Sequence, residues 1–190
     1  MMTSILKRWR YADYLLLLTL LALLAYGLLL VYSSTFPSTD TTEIALSSFV
    51  IRQGMFVAFG LLCMVIIASI DYRILHATAY LIYGVTILLL LVVLFGGHSQ
   101  TEYGSQRWID LKIFPLQPSE LAKPALVMAL ARYYSDHEMD VTAFRHFLFS
   151  IVITAPALVL VYSQPDLGTS TTFVVIWFFM AVVAGVRFRY

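Results

Sequence analysis

The run YLLLLTLLALLAYGLLLV, Tyr14 to Val31, holds eighteen residues and no charge, close to the length that crosses a hydrocarbon core roughly 30 Å thick. Working outward, further apolar runs lie at Gln53 to Ile70, Ala77 to Phe95, Ser119 to Tyr133, Phe147 to Tyr162 and Thr169 to Val186. The fourth is the shortest and carries Glu120, Lys123 and Pro124, so a half-inserted helix is its alternative reading. Composition agrees with the runs: 61% of the 190 residues are hydrophobic and only 12% charged, and the mean hydropathy is +0.85. Such a chain cannot form an ordinary soluble surface. It reads as an all-α polytopic membrane protein, a bundle of about six transmembrane helices. No internal repeat, low-complexity tract or long linker divides it, so residues 1–190 are expected to form a single domain.

Lys7, Arg8 and Arg10 precede the first run, which is too long for a signal peptide and lacks a small-residue cleavage site. It is therefore expected to remain as an uncleaved first span. Lysine and arginine near span ends are retained on the cytoplasmic side. A cytoplasmic N-terminus puts Lys7, Arg8, Arg10, Arg73, Arg132, Arg145, Arg187 and Arg189 inside, and leaves Arg52, Arg107 and Lys112 outside. The outer loops are then 33–52, 96–118 and 163–168, and two polar motifs open toward that face.

The first motif runs from Tyr103 to Lys123, YGSQRWIDLKIFPLQPSELAK. Ionisable groups at bilayer depth are costly and usually mark function. Ser119, after Pro118, is expected to cap the fourth helix with its hydroxyl. Glu120 and Lys123 then share a face at i and i+3, either as a self-neutralising pair that lets a polar helix start enter the membrane or as a cavity pair. Pro124 cannot donate to the Glu120 carbonyl and should bend the helix there. Arg107 beside Trp108 is either an interface anchor or a planar clamp for a phosphate-bearing substrate. The alternation of Ile109, Leu111 and Ile113 with Asp110 and Lys112 suggests a loop lying along the membrane surface. The second motif, QPDLGTS from Gln164, sets Asp166 to cap a helix beginning near Leu167, or to face the same cavity.

Several classes are excluded. A net charge of +1 offers no basic stripe, so no nucleic-acid partner is expected. Cys63 is the single cysteine, which leaves no disulfide framework or thiolate metal site within the chain. His76, His98, His137 and His146 are scattered near segment ends without metal-ligand spacing, so no metal site is assigned. No cofactor is indicated, and a divalent-cation requirement is left open.

GSQRWIDL from Gly104, QPSELAK from Gln117 and QPDLGTS from Gln164 together resemble the shape, elongation, division and sporulation (SEDS) family of RodA- and FtsW-like proteins. The likeness runs along the whole chain and covers about the first half of a family member. It implies a peptidoglycan glycosyltransferase of the bacterial plasma membrane, with ten spans and the N-terminus inside. Such an enzyme polymerises lipid II, an undecaprenyl-diphosphate-linked disaccharide pentapeptide, and works with a class B penicillin-binding protein in cell-wall elongation or division. By motif match, Arg107, Gln117, Ser119, Glu120, Lys123 and Asp166 correspond to positions around the family's central substrate cavity, Glu120 and Lys123 being its buried ion pair. The aspartate to which the family's chemistry is ascribed lies in an outer loop after the seventh span, beyond Tyr190. No catalytic residue is therefore carried over, and the 190-residue chain alone is expected to be inactive. A lipid-linked peptidoglycan transporter and a non-catalytic membrane scaffold stay open as alternatives.

The charge asymmetry generates a direct test of orientation. With impermeant thiol reagents applied to intact cells, a Ser105→Cys variant should react and a His137→Cys variant should not; the opposite pattern would invert the topology.

Overall fold

The computed structural model describes residues 13–34, 43–95, 108–110, 115–137 and 144–186. Two compact units divide the chain, Met1–Asp71 and Tyr72–Tyr190. Each of the six expected spans is a helix. Four are long and apolar enough to cross a membrane: Tyr14–Ser34, Phe49–Ser69, Tyr72–Phe95 and Phe144–Ser163. The protein is a multi-pass membrane protein.

The first unit holds α1 (Tyr14–Ser34) and α2 (Glu43–Ser69). Asp13 starts α1 as its cap: its Oδ1 accepts from the backbone N–H of Leu15 at 3.0 Å and of Leu16 at 3.2 Å, meeting two of the orphan donors that every helix start exposes. Neither apolar window in this unit contains a buried residue. A helix that is apolar all round and yet unburied by protein has lipid as its solvent. Between α1 and α2 lies an open apolar cleft of about 420 Å³, lined by Leu20 and Leu24 on one side and Phe56, Gly60 and Met64 on the other.

The second unit holds α3 (Tyr72–Phe95), the two-residue strands β1 (Ile109–Asp110) and β2 (Pro115–Leu116), α4 (Pro118–Asp136), α5 (Phe144–Ser163) and α6 (Leu167–Val183). The strands pair antiparallel, Ile109 with Leu116 and Asp110 with Pro115. Ile109 and Asp110 therefore belong to a small ladder whose second strand leads into α4, while Leu111, Lys112 and Ile113 lie outside the described residues.

α4 is the least apolar helix and the most enclosed. It packs against α3, α5 and α6. Ala122, Ala125, Leu126, Ala129 and Leu130 have no exposed surface at all. Small side chains at three- and four-residue spacing let neighbouring backbones approach closely, which is how helices associate where lipid removes the hydrophobic drive. Because its neighbours are protein, α4 needs little hydropathy to sit at membrane depth. The helix runs continuously through Pro124 to Asp136.

Polar bonds tie the helices to one another. Tyr83 Oη on α3 donates to the carbonyl of Ile153 on α5 at 2.5 Å, and Trp177 Nε1 on α6 donates to Ser150 Oγ on α5 at 2.9 Å. Arg132 on α4 reaches α3, donating from Nη1 to the Ala77 carbonyl at 2.8 Å with its guanidinium 4.5 Å from the Tyr80 ring centroid. Asp136 lies 3.3 Å from His76 Nε2 and 3.5 Å from Arg132 Nε. His146, only 3% exposed, receives Arg145 Nε–H on its Nε2 at 3.0 Å. Its Nδ1 therefore carries the proton of the neutral ring and donates to Tyr133 Oη at 2.8 Å.

α6 ends three residues earlier than the apolar run. Gly185 adopts φ +82°, the left-handed conformation that glycine reaches without steric cost. Its N–H bonds the Val182 carbonyl and that of Val186 bonds the Ala181 carbonyl, each at 3.0 Å. This pair of bonds is a Schellman ending, and it folds Val186 back into the buried core.

Candidate functional site

The described parts of the two polar motifs lie toward one end of the second unit. His76 and Ala77, near the start of α3, contact Asp136 and Arg132, near the end of α4, so the two helices run antiparallel. The start of α4 consequently lies near the end of α3. There, Gln164 from the turn between α5 and α6 donates its side-chain Nε2 to the Leu90 carbonyl of α3 at 3.3 Å.

Gln117, not Ser119, is the N-cap of α4. Its backbone is extended, φ −101° and ψ 107°, and its side chain makes no capping bond. The residue before proline is pushed to this region, while Pro118 has the φ of a first helical residue and lacks the N–H that would be orphaned there. The helix therefore begins two residues earlier than a serine cap would have it, and Ser119 sits inside the first turn, 2% exposed. The sequence expectation is corrected on this point. The Glu120 N–H reaches back to the Gln117 carbonyl at 3.1 Å.

Lys123 Nζ stands 2.8 Å from Glu120 Oε1, so the i, i+3 pair forms. Their side chains are 25% and 55% exposed respectively. Within this chain the pair is partly open rather than enclosed. Pro124 has no N–H to offer the Glu120 carbonyl, so that oxygen adds an acceptor beside the pair.

Asp166 caps α6. Its Oδ1 accepts from the Thr169 N–H at 3.1 Å and its Oδ2 from the Thr169 hydroxyl at 2.9 Å, while its carbonyl accepts from the Ser170 hydroxyl at 2.7 Å. Asp–x–x–Thr at a helix start is the pattern that satisfies an orphan N–H through a side chain. Arg107 lies outside the described residues. Of the expected set, the structure thus brings Gln117, Ser119, Glu120 and Lys123 together on the first turns of α4, and sets Asp166 at the start of α6 at the same end. No distance joins Asp166 to the ion pair directly.

Gln164 was not among the expected site residues, although it opens the second motif. It is 5% exposed. A lone glutamine in a turn carries no periodicity, and its partner is a main-chain carbonyl 74 residues away, so only its place beside Pro165 and Asp166 could have drawn notice. Among the described residues, no group of three or more His, Cys, Asp or Glu is placed to hold a metal ion.

The family model for FtsW, RodA and SpoVE, described as cell cycle protein, matches residues 13–190. Stage V sporulation protein E of Bacillus subtilis (strain 168) is 34% identical over 176 residues, 92% of this chain and 48% of that protein. The peptidoglycan glycosyltransferase RodA of Treponema pallidum (strain Nichols) is 34% identical over 180 residues, 93% of this chain and 40% of the relative. Among solved structures, the rod shape determining protein RodA of Thermus thermophilus matches with a TM-score of 0.77 at 27% identity, over 95% of this chain and 56% of that one. A chain of a peptidoglycan synthase complex, studied for its coordination of polymerization and crosslinking, matches with a TM-score of 0.73 at 27% identity, over 94% of this chain and 49% of that one. The chain spans about half the length of the curated relatives it matches.

The openness of the ion pair sets its energetic weight. In a double-mutant cycle on the 190-residue chain, Glu120→Ala and Lys123→Ala should show a coupling of about 0.2–1 kcal/mol in thermal unfolding, the range of exposed pairs. A single-variant loss of about 3–5 kcal/mol would instead indicate a desolvated pair.

Proposed function

The chain belongs to the FtsW/RodA/SpoVE family of cell cycle proteins, and on that premise we propose that the full-length protein is a peptidoglycan glycosyltransferase of the bacterial plasma membrane. It polymerises lipid II and releases undecaprenyl diphosphate, with a class B penicillin-binding protein as its partner. The observation that carries this reading is the 34% identity to a peptidoglycan glycosyltransferase across 93% of the chain. Likeness of that extent is not confined to leucine-rich runs, which any two membrane proteins share. The N-terminus is cytoplasmic, a reading supported by the lysine and arginine distribution, and the polar end of the second unit faces outward.

On this reading the chain supplies the side of the site that holds the lipid-linked donor. Lys123, kept at the mouth by Glu120 at 2.8 Å, offers an ammonium to diphosphate oxygens, and Arg107 offers a fork that can bind them in pairs. Gln117 and Ser119 hold the start of α4 at the rim. Asp166 spends both carboxylate oxygens on Thr169, so its part is to shape the rim. Glycosyl transfer also needs a base within hydrogen-bond reach of the attacking sugar hydroxyl. That group is assigned to the half of the relatives' length that this chain does not span.

Glycan-strand formation from purified lipid II tests the proposal. The full-length protein should make polymer, the 190-residue chain alone should make none, and Lys123→Ala in the full-length protein should lower turnover by at least about tenfold, the scale on which losing one charge-stabilising contact acts. Absence of polymer from folded full-length protein would defeat the reading. Polymer from the 190-residue chain, lost on Asp166→Asn, would move the base into this half.

A further inference from the structure

We infer that Gln164 is a positioning residue for this site: by tying the α5–α6 turn to α3, it fixes where the Asp166 carboxylate and the start of α6 stand at the rim. The inference rests on the reading that the polar end of the second unit receives the lipid-linked substrate.

Bonds on both sides hold the turn. The Gln164 N–H closes it onto the Val161 carbonyl at 3.1 Å, its side-chain amide reaches the Leu90 carbonyl on α3 at 3.3 Å, and Asp166 locks the far side onto Thr169 at 3.1 and 2.9 Å. Only Pro165 separates the two side-chain tethers. Movement at position 164 therefore passes to Asp166. Leu90 and Val161 are both fully buried members of the core, so the turn is referenced to the most rigid part of the unit.

The choice of side chain points to placement rather than packing. A site 95% removed from solvent would be filled by leucine at no polar cost, whereas a buried amide is unfavourable unless bonded. The Leu90 carbonyl has a second lone pair beyond its helical bond and supplies that partner. What the amide adds over leucine is direction. α3 is also the helix that leads toward β1, β2 and the start of α4, so one bond sets the α6 rim relative to the helix preceding the α4 rim. Errors of about 1 Å in such settings are costly to turnover.

The test uses the full-length protein and lipid II, with turnover counted per folded molecule after size-exclusion in detergent. Gln164→Leu keeps the volume and removes the donor. It should retain its folded yield and KM within about twofold and lose about tenfold in kcat; a merely structural role would lower yield and melting temperature but leave kcat per folded molecule at the wild-type value, and that result would overturn the inference. Should Gln164→Leu fail to fold, Gln164→Glu decides. Its carboxyl has the shape of the amide and can donate only when protonated, so its kcat relative to wild type should rise as pH falls from 8 to 6, and a ratio flat across that range would overturn the inference. Wild-type protein run in parallel separates the two claims: no polymer from it defeats the proposed function, whereas normal polymer from wild type and Gln164→Leu alike defeats only the role of Gln164.

Discussion

Hydrocarbon offers no partner to a hydrogen-bonding group, and nearly every feature of the second unit follows from that constraint. Hydroxyls within the helices bond back to their own main chain, as Thr78 does to the Ile74 carbonyl at 2.7 Å and Thr154 to the Ser150 carbonyl at 2.9 Å. Groups too long for that bridge between helices instead. Tyr83 reaches α5, Trp177 reaches Ser150, and Arg132 lies across α3 with its charge shared among the Ala77 carbonyl, the Tyr80 ring and Asp136. The helix with the most polar character is surrounded by three others, whereas the helices of the first unit bury nothing in their apolar windows.

The same constraint gives the two ends of the unit different tasks. Where α3 begins and α4 ends, His76, Arg132 and Asp136 bond mainly to one another and to main chain. That end is a clasp. Where α4 and α6 begin, the Glu120–Lys123 pair is partly exposed and the α6 cap stands beside a glutamine drawn from the turn. Two helix starts at one end also present their positive dipole ends in the same region, a setting suited to an anionic headgroup. A family whose members include peptidoglycan glycosyltransferases fits a scaffold clasped at one end and carrying two polar helix starts at the other.

Much of this was legible in the residues. Five of the apolar runs give helices because a long run without charge has one stable solution in a bilayer; the fourth, which carries Glu120, Lys123 and Arg132, is a helix enclosed by three others. Asp166 reads as a cap because Asp–Leu–Gly–Thr puts an acceptor three residues before a free N–H. Ser119 misled because two start signals compete in Gln–Pro–Ser, and the fixed φ of Pro118 prevailed over the serine hydroxyl. The last run seemed to extend to Val186 because hydropathy does not register a single glycine taking left-handed φ, as Gly185 does at +82°. The central place of α4, and the tether from Gln164 to Leu90, depend on which helices become neighbours. Such contacts are long-range and leave no pattern in a window of sequence.

The central claim is that the two polar motifs share one end of the second unit, set by antiparallel α3 and α4 and by the Gln164 tether. Thiol cross-linking in native membranes tests it most directly, using a Cys63→Ser background and a short bifunctional methanethiosulfonate reagent. Leu90→Cys paired with Gln164→Cys should cross-link efficiently. Ala77→Cys paired with Gln164→Cys should not, because thirteen residues of helix separate positions 77 and 90, a rise of about 20 Å. Cross-linking through position 77 with none through position 90 would place the α5–α6 turn at the opposite end and contradict the account.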